Sequence, residues 1–146
     1  MDSFQEQIIK EHKERQEKFV YYLIALAVSS IGFSVYNTLN IKLNITQIPL
    51  GIALFCWGAS IFCGITFLKV TLSILYDNNR YFDIENGLDS DIGKDPQKIK
   101  IALSSFKPIL IEKASKVSKY FNWQIGLFYI GIILFLFWRV IEMYLY

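Results

Sequence analysis

The run from residue 49 to 68, PLGIALFCWGASIFCGITFL, holds no charged side chain until Lys69 closes it. At about 1.5 Å per helical residue it reaches about 30 Å, the thickness of a bilayer's hydrocarbon core. Length and charge alone therefore make it a transmembrane helix candidate, and the rest of the chain must be arranged on one side of it or the other.

Residues 19–36 and 121–141 meet the same criterion. The loops set an expected orientation. Lys10, Lys13, Arg15 and Lys18 precede the first span; Arg80, Lys94, Lys98, Lys100, Lys107, Lys113, Lys116 and Lys119 lie between the second and third; the connector after the first span offers only Lys42. The positive-inside rule then puts the N-terminus and the segment after Lys69 in the cytoplasm and the C-terminus outside. Tyr120 and Trp123 at one end of the third span, and Trp138, Tyr144 and Tyr146 at the other, agree with interfacial placement. The expected fold is an all-α membrane protein with three transmembrane helices. It carries a cytoplasmic N-terminal helical extension and a cytoplasmic helical segment between spans 2 and 3. The parts are 1–18, a charged helix; 19–76, spans 1 and 2 with a short outer connector; 77–120, a cytoplasmic loop and helices; and 121–146, span 3.

Of 146 residues, 53% are apolar, most of them in the three runs, which leaves too few to build a separate soluble core. No independent catalytic domain fits. The net charge is +2, so an anionic partner must be met by a local group of lysines rather than by the field of the whole molecule. Cys56 and Cys63 sit seven residues apart in the second span, about 10 Å along a helix, too far to bridge within one chain. They are expected to be small packing residues.

Ser3 and Glu6 have capping-box spacing, and Glu6 with Lys10, Glu11 with Arg15 and Glu14 with Lys18 are opposite charges four apart. One continuous helix is expected from about Ser3 to Asn37. A cleaved signal peptide is not expected, because acidic residues are mixed into a long charged lead. His12, on this charged helix, reads as a solvated residue. Inside the first span Ala27, Ser30, Ser34 and Asn37 form one stripe. Such a stripe in lipid must face protein or water, so it serves either helix packing or the pore-lining wall of an oligomer. Cys56, Ser60 and Cys63 repeat the pattern in the second span, where Ser60 and Gly64 are a small-xxx-small pair. The first two spans are expected to pack together. The third, with bulky Phe128, Phe135 and Phe137 and with Gly126 and Gly131 off a common face, is expected at the lipid-facing periphery.

The connector, LNIKLNIT at residues 39–46, alternates apolar and polar side chains, which is strand periodicity. Pro49 suits the first turn of the second helix, which is expected to end between Asp77 and Asn79. Asp89, Asp91, Gly93 and Asp95 resemble a calcium loop only superficially, since Lys100 stands where the bidentate glutamate belongs. Asp95 followed by Pro96 is a cap and first-turn proline, so a short helix should run to about Phe106, with a restart at Pro108. Beyond it Lys113, Lys116 and Lys119 cover about 120° of one helical face, with Tyr120 and Trp123 following. The row serves either attraction to anionic lipid or ligand binding, with lysines on phosphate and aromatic rings stacked on a base.

No enzyme motif, cofactor site or metal-ligand spacing is present, so a non-enzymatic membrane role is expected. Two lead: an oligomeric channel whose cytoplasmic part senses a signal, and a non-conducting accessory or immunity protein that packs against another membrane protein. A transporter is a poor third, because three spans without an inverted repeat or broken helix give no midplane site in a monomer. The usage of Ile, Lys, Asn, Phe and Tyr suggests an AT-rich bacterial gene and hence a bacterial inner membrane. The charged helix of Lys10 to Lys18, the two spans that follow it and the stripe of Lys113 to Lys119 resemble the architecture of small membrane effectors of bacterial antiphage systems. These include SLATT-type effectors and the membrane effector of Hailong systems. The resemblance implies an oligomeric channel that depolarises the bilayer under control of a nucleotide or short single-stranded DNA. It also implies a nucleotidyltransferase-like partner. The expectation of a homo-oligomer, a tetramer, comes from the stripe of Ala27, Ser30, Ser34 and Asn37, which a three-helix monomer buries only in part. A third span departs from the two-span SLATT pattern.

Overall fold

The computed structural model describes residues 3–42 and 44–145, with the side chains of Ser3, Phe4 and Glu6 left aside. The Ser3–Glu6 capping box, the Glu6–Lys10 pair and the interfacial placement of Tyr146 fall outside the described residues. Three α-helices account for almost all of the rest: α1 (Ser3–Thr38), α2 (Ile48–Glu85) and α3 (Pro96–Leu145). Each is long and apolar enough to cross a membrane, which makes the chain a multi-pass membrane protein by composition and length.

The unbroken α1 matches the expectation from its charge pairs, of which Arg15 and Glu11 meet at 2.9 Å. Among its described residues the alternating connector forms no strand. Asn44 accepts a hydrogen bond on Oδ1 from the Ile45 N–H at 2.8 Å and caps a single 3₁₀ turn, Ile45–Gln47, that leads directly into α2. Eight residues with no partner strand cannot form a ladder, whereas a local cap satisfies the backbone at once.

Helix α2 runs past Asp77 to Glu85, longer than expected. Its stop is the Asn86-Gly87 pair: Gly87 takes φ +67°, its N–H bonds to the Ile84 carbonyl at 3.1 Å, and the Leu88 N–H reaches back to Asp83 at 2.8 Å. This double closure by a left-handed glycine satisfies the last carbonyls of the helix. Asp95 then accepts from the Gln97 N–H at 3.0 Å and starts α3, as its spacing with Pro96 predicts.

The expected break at Pro108 does not occur; α3 continues through it. A proline removes one helical N–H and crowds the carbonyl four residues back, a cost of about 3 kcal/mol in a helix interior. Around the affected turn the hydroxyls of Ser104 and Ser105 donate to the Ile101 carbonyl at 2.7 and 3.1 Å. The long apolar and helix-forming stretches on both sides carry the helix across the defect.

The chain divides into two compact units. One comprises Met1–Ile65 with Phe121–Tyr146, and the other Thr66–Tyr120. In the first, α1, α2 and α3 meet in a core of Leu23, Ala27, Trp57 and Phe128. The third span is therefore not peripheral. Gln124, Phe128, Gly131 and Trp138 are its buried residues, at spacings of four, three and seven. Gly131 lies so close to the indole of Trp57 that a Cβ there would sit 2.5 Å from Nε1. Ser60 and Gly64 also face α3: the Ser60 hydroxyl donates to the Gln124 carbonyl at 2.8 Å, and a Cβ on Gly64 would meet Gln124 Nε2 at 2.5 Å. Gly126, by contrast, has nothing near it. In lipid, where apolar burial drives little association, such close approach is what holds helices together.

Candidate functional site

The stripe on α1 is divided by the fold. Ala27 and Ser34 are fully covered by the chain's own helices, Ser30 is half-buried, and Asn37 is exposed with its amide donating to the Phe33 carbonyl at 2.8 Å. Ala27 belongs to the packed core and Ser34 Oγ is buried without a partner, so in this arrangement these two residues line no water-filled space. The packing alternative accounts for both.

The opposite side of α1 is the exposed one. Taking Ala27 as reference and about 100° per residue, Tyr22, Ala25, Ser29, Gly32 and Tyr36 all lie within about 40° of the opposite direction. All five are exposed. Larger exposed side chains flank them, Val28 and Val35 on one side and Leu26 and Phe33 on the other. The result is a shallow groove with small residues along its floor and a tyrosine at each end. Ser29 donates to the Ala25 carbonyl at 2.8 Å, which leaves its oxygen able to accept.

The second candidate site is the lysine row, and here the structure changes its chemistry. Within the Thr66–Tyr120 unit, Lys113 Nζ donates to Ser73 Oγ at 2.8 Å and pairs closely with Asp77 Oδ2, both partners coming from α2. The pair is partly buried, with side chains 29% and 18% exposed, so water screens it less than a surface pair. Lys116 pairs with Glu112 one turn away at 2.8 Å, and both are exposed. The hydrogen bond and charge of Glu112 raise the Lys116 pKa above its ordinary value, and those of Lys116 lower that of Glu112. Only Lys119, exposed, has no ion pair among the described residues. Tyr120 is half-buried; Trp123 is exposed and belongs to the other unit. The row is thus two neutralised lysines and one available one.

Sequence spacing gave no hint of Ser73 and Asp77 as partners, because they lie forty and thirty-six residues from Lys113, on another helix. Arg80 lies just beyond the expected end of α2, so its place on that helix was not foreseen. Its guanidinium reaches Asp89 at 3.4 Å and Asp91 at 3.5 Å and stands 5.9 Å over the Phe106 ring. These contacts engage two of the carboxylates of the calcium-like loop. The Asp91 N–H, bonded to Asp89 Oδ1 at 2.9 Å, and Arg80 beside it hold the Asp89 carboxyl below the usual carboxylate range, against an opposing effect of burial.

Arg139 and Glu142, three residues apart near the end of α3 and so on one face of the helix, pair at 3.1 Å. Cys56 and Cys63 are free thiols, the first buried and the second half-buried, as suits packing residues. His12 is exposed on α1. No protein-family profile, curated protein or solved structure matches the chain.

Proposed function

We propose that the protein is a membrane effector that assembles into a homo-oligomer and conducts ions across a bacterial inner membrane. Its N-terminus is placed in the cytoplasm and its C-terminus outside. Control by an anionic cytoplasmic ligand, a nucleotide or short single-stranded nucleic acid, and a role in antiphage defence complete the proposal. The observation that carries it is the exposed groove on α1. A helix face that meets only lipid gains nothing from a floor of Ala25, Ser29 and Gly32 between bulkier neighbours, while such a floor lets a second helix approach. Around an axis, the same small and hydroxyl-bearing residues leave room for water. The lumen-facing role passes from Ala27 and Ser34 to this opposite face. The unbroken α3, which joins the lysine row to the third span, supplies a path by which a ligand preferring one state would shift the gate.

The test is conductance in planar bilayers with the purified protein, combined with mass measurement of the detergent-solubilised oligomer. In a conducting assembly Ser29→Cys should react with a membrane-impermeant thiol reagent, with the unsubstituted chain as control for Cys56 and Cys63. Labelling of that cysteine by lipid-soluble reagents alone would remove α1 from the conduction path. A second reading uses the same groove to dock onto another membrane protein, without conduction. It is favoured by the filled interior of the three-helix unit, where Leu23, Ala27, Trp57 and Phe128 occupy the centre. A stable monomer with no conductance would establish it over the channel.

A further inference from the structure

The geometry points to Asp77 as the resident anion of a phosphate site built by Lys113 and Ser73, so that a phosphate-bearing ligand binds by taking the place of its carboxylate. This rests on the anionic ligand of the proposed function and says how that ligand gains its site. Lys113 was the first member of the predicted binding row, yet it is the member most completely engaged. Its ammonium donates to a carboxylate oxygen and to a hydroxyl, both on the facing stretch of α2. An ammonium has three protons and two are used; the Ser73 hydroxyl, accepting from Lys113, keeps its own proton to give. Remove the carboxylate, and one ammonium and one hydroxyl converge on the space it filled. That is a donor set suited to a phosphate oxygen, in a half-buried position where the attraction is less screened than at an open surface.

The remaining features fit exchange rather than simple addition. Lys116 is held by Glu112, exposed and one turn away, so its partner is easily given up; Lys119 is already available for a further phosphate. A site occupied by its own chain shows an affinity reduced by the fraction of molecules in which it is vacant. Displacing Asp77 also breaks a tie between α2 and α3 inside the Thr66–Tyr120 unit, so ligand binding and the state of this helical hairpin are linked.

The test uses the full chain in detergent and a short fluorescent oligothymidylate as probe, read by anisotropy at low salt. Asp77→Asn keeps the side chain's shape and its ability to accept from Lys113 while removing the charge. It should tighten binding about fivefold, the equivalent of losing one modest ion-pair competitor. Asp83→Asn, an equal change in net charge at an exposed position on the same helix, should leave affinity nearly unchanged. Lys113→Gln and Ser73→Ala should weaken binding, and in the Lys113→Gln background Asp77→Asn should have no further effect. Equal tightening by the two Asp→Asn changes, or a full Asp77→Asn effect without Lys113, would overturn the exchange while leaving the ligand reading intact. No binding by either the unsubstituted chain or Asp77→Asn would overturn both and return the lysines to membrane anchoring.

Discussion

Two glycines of the third span make opposite predictions for the same substitution. Gly131→Ala and Gly126→Ala both replace an interior helical glycine, so both gain about 1 kcal/mol of helix propensity, and that gain cancels when the two variants are compared. What remains is the environment. At Gly126 an added Cβ meets nothing within 4 Å; at Gly131 it would lie 2.5 Å from Trp57 Nε1, 2.6 Å from Cδ1 and 3.0 Å from Cε2. The indole is rigid and almost fully buried, so the clash is relieved only by moving the ring or separating the helices. Overpacking of this kind costs about 1–3 kcal/mol, hence a factor of roughly 5–150 between the two variants in the folded-to-unfolded ratio. Denaturation in mixed micelles, followed by far-UV circular dichroism and Trp fluorescence, gives both stabilities. Gly126→Ala should be equal to or more stable than the parent, with Gly131→Ala below it by that margin. Equal stability of the two would mean that α3 does not pack on Trp57 and that the third span is peripheral after all.

The loop after α2 should respond to acid through Asp89. Because its folded-state pKa lies below the ordinary value, its contribution to loop order is fully present above the usual carboxylate range and is lost as pH falls through and below about 3.8. Hydrogen-exchange protection at residues 86–95, measured relative to the intrinsic rate at each pH, should fall over that window, and Asp89→Asn should abolish the step; an unchanged profile in that variant would assign the acid response elsewhere. For Arg139 and Glu142, the arginine is exposed and the glutamate partly covered, and a pair with one side open to solvent contributes about 1 kcal/mol, so changing both to Leu should leave assembly intact. Glu142→Leu alone should be worse than the double change, because it leaves Arg139 without its partner. Loss of conductance with intact assembly in the double variant would place the pair in an ion path.

The elements of this protein are written locally in its sequence. Three apolar runs fix three long helices because length and hydrophobicity act segment by segment, and the Asp95–Pro96 start and the unbroken α1 follow from side chains within one or two turns. The Asn86-Gly87 stop is equally local, while the nearer polar stretch at residues 77–79 does not end the helix, because Asn78 and Asn79 are exposed and Asp77 is paired with Lys113. Orientation of the helix faces is another matter. Ala27 and Ser34 could be read as packing or as pore wall from their spacing, and only the neighbouring Trp57 and Phe128 decide that Ala27 turns inward. Gly126 and Gly131 are the same residue in similar surroundings along the chain, and the indole over one of them is a contact from another helix. Lys113 belongs to a row by sequence and to Ser73 and Asp77 by structure, thirty-six or more residues away. A helix period states which residues share a face; which face meets protein, lipid or an opposite charge depends on partners distant in sequence, and these the tertiary structure alone supplies.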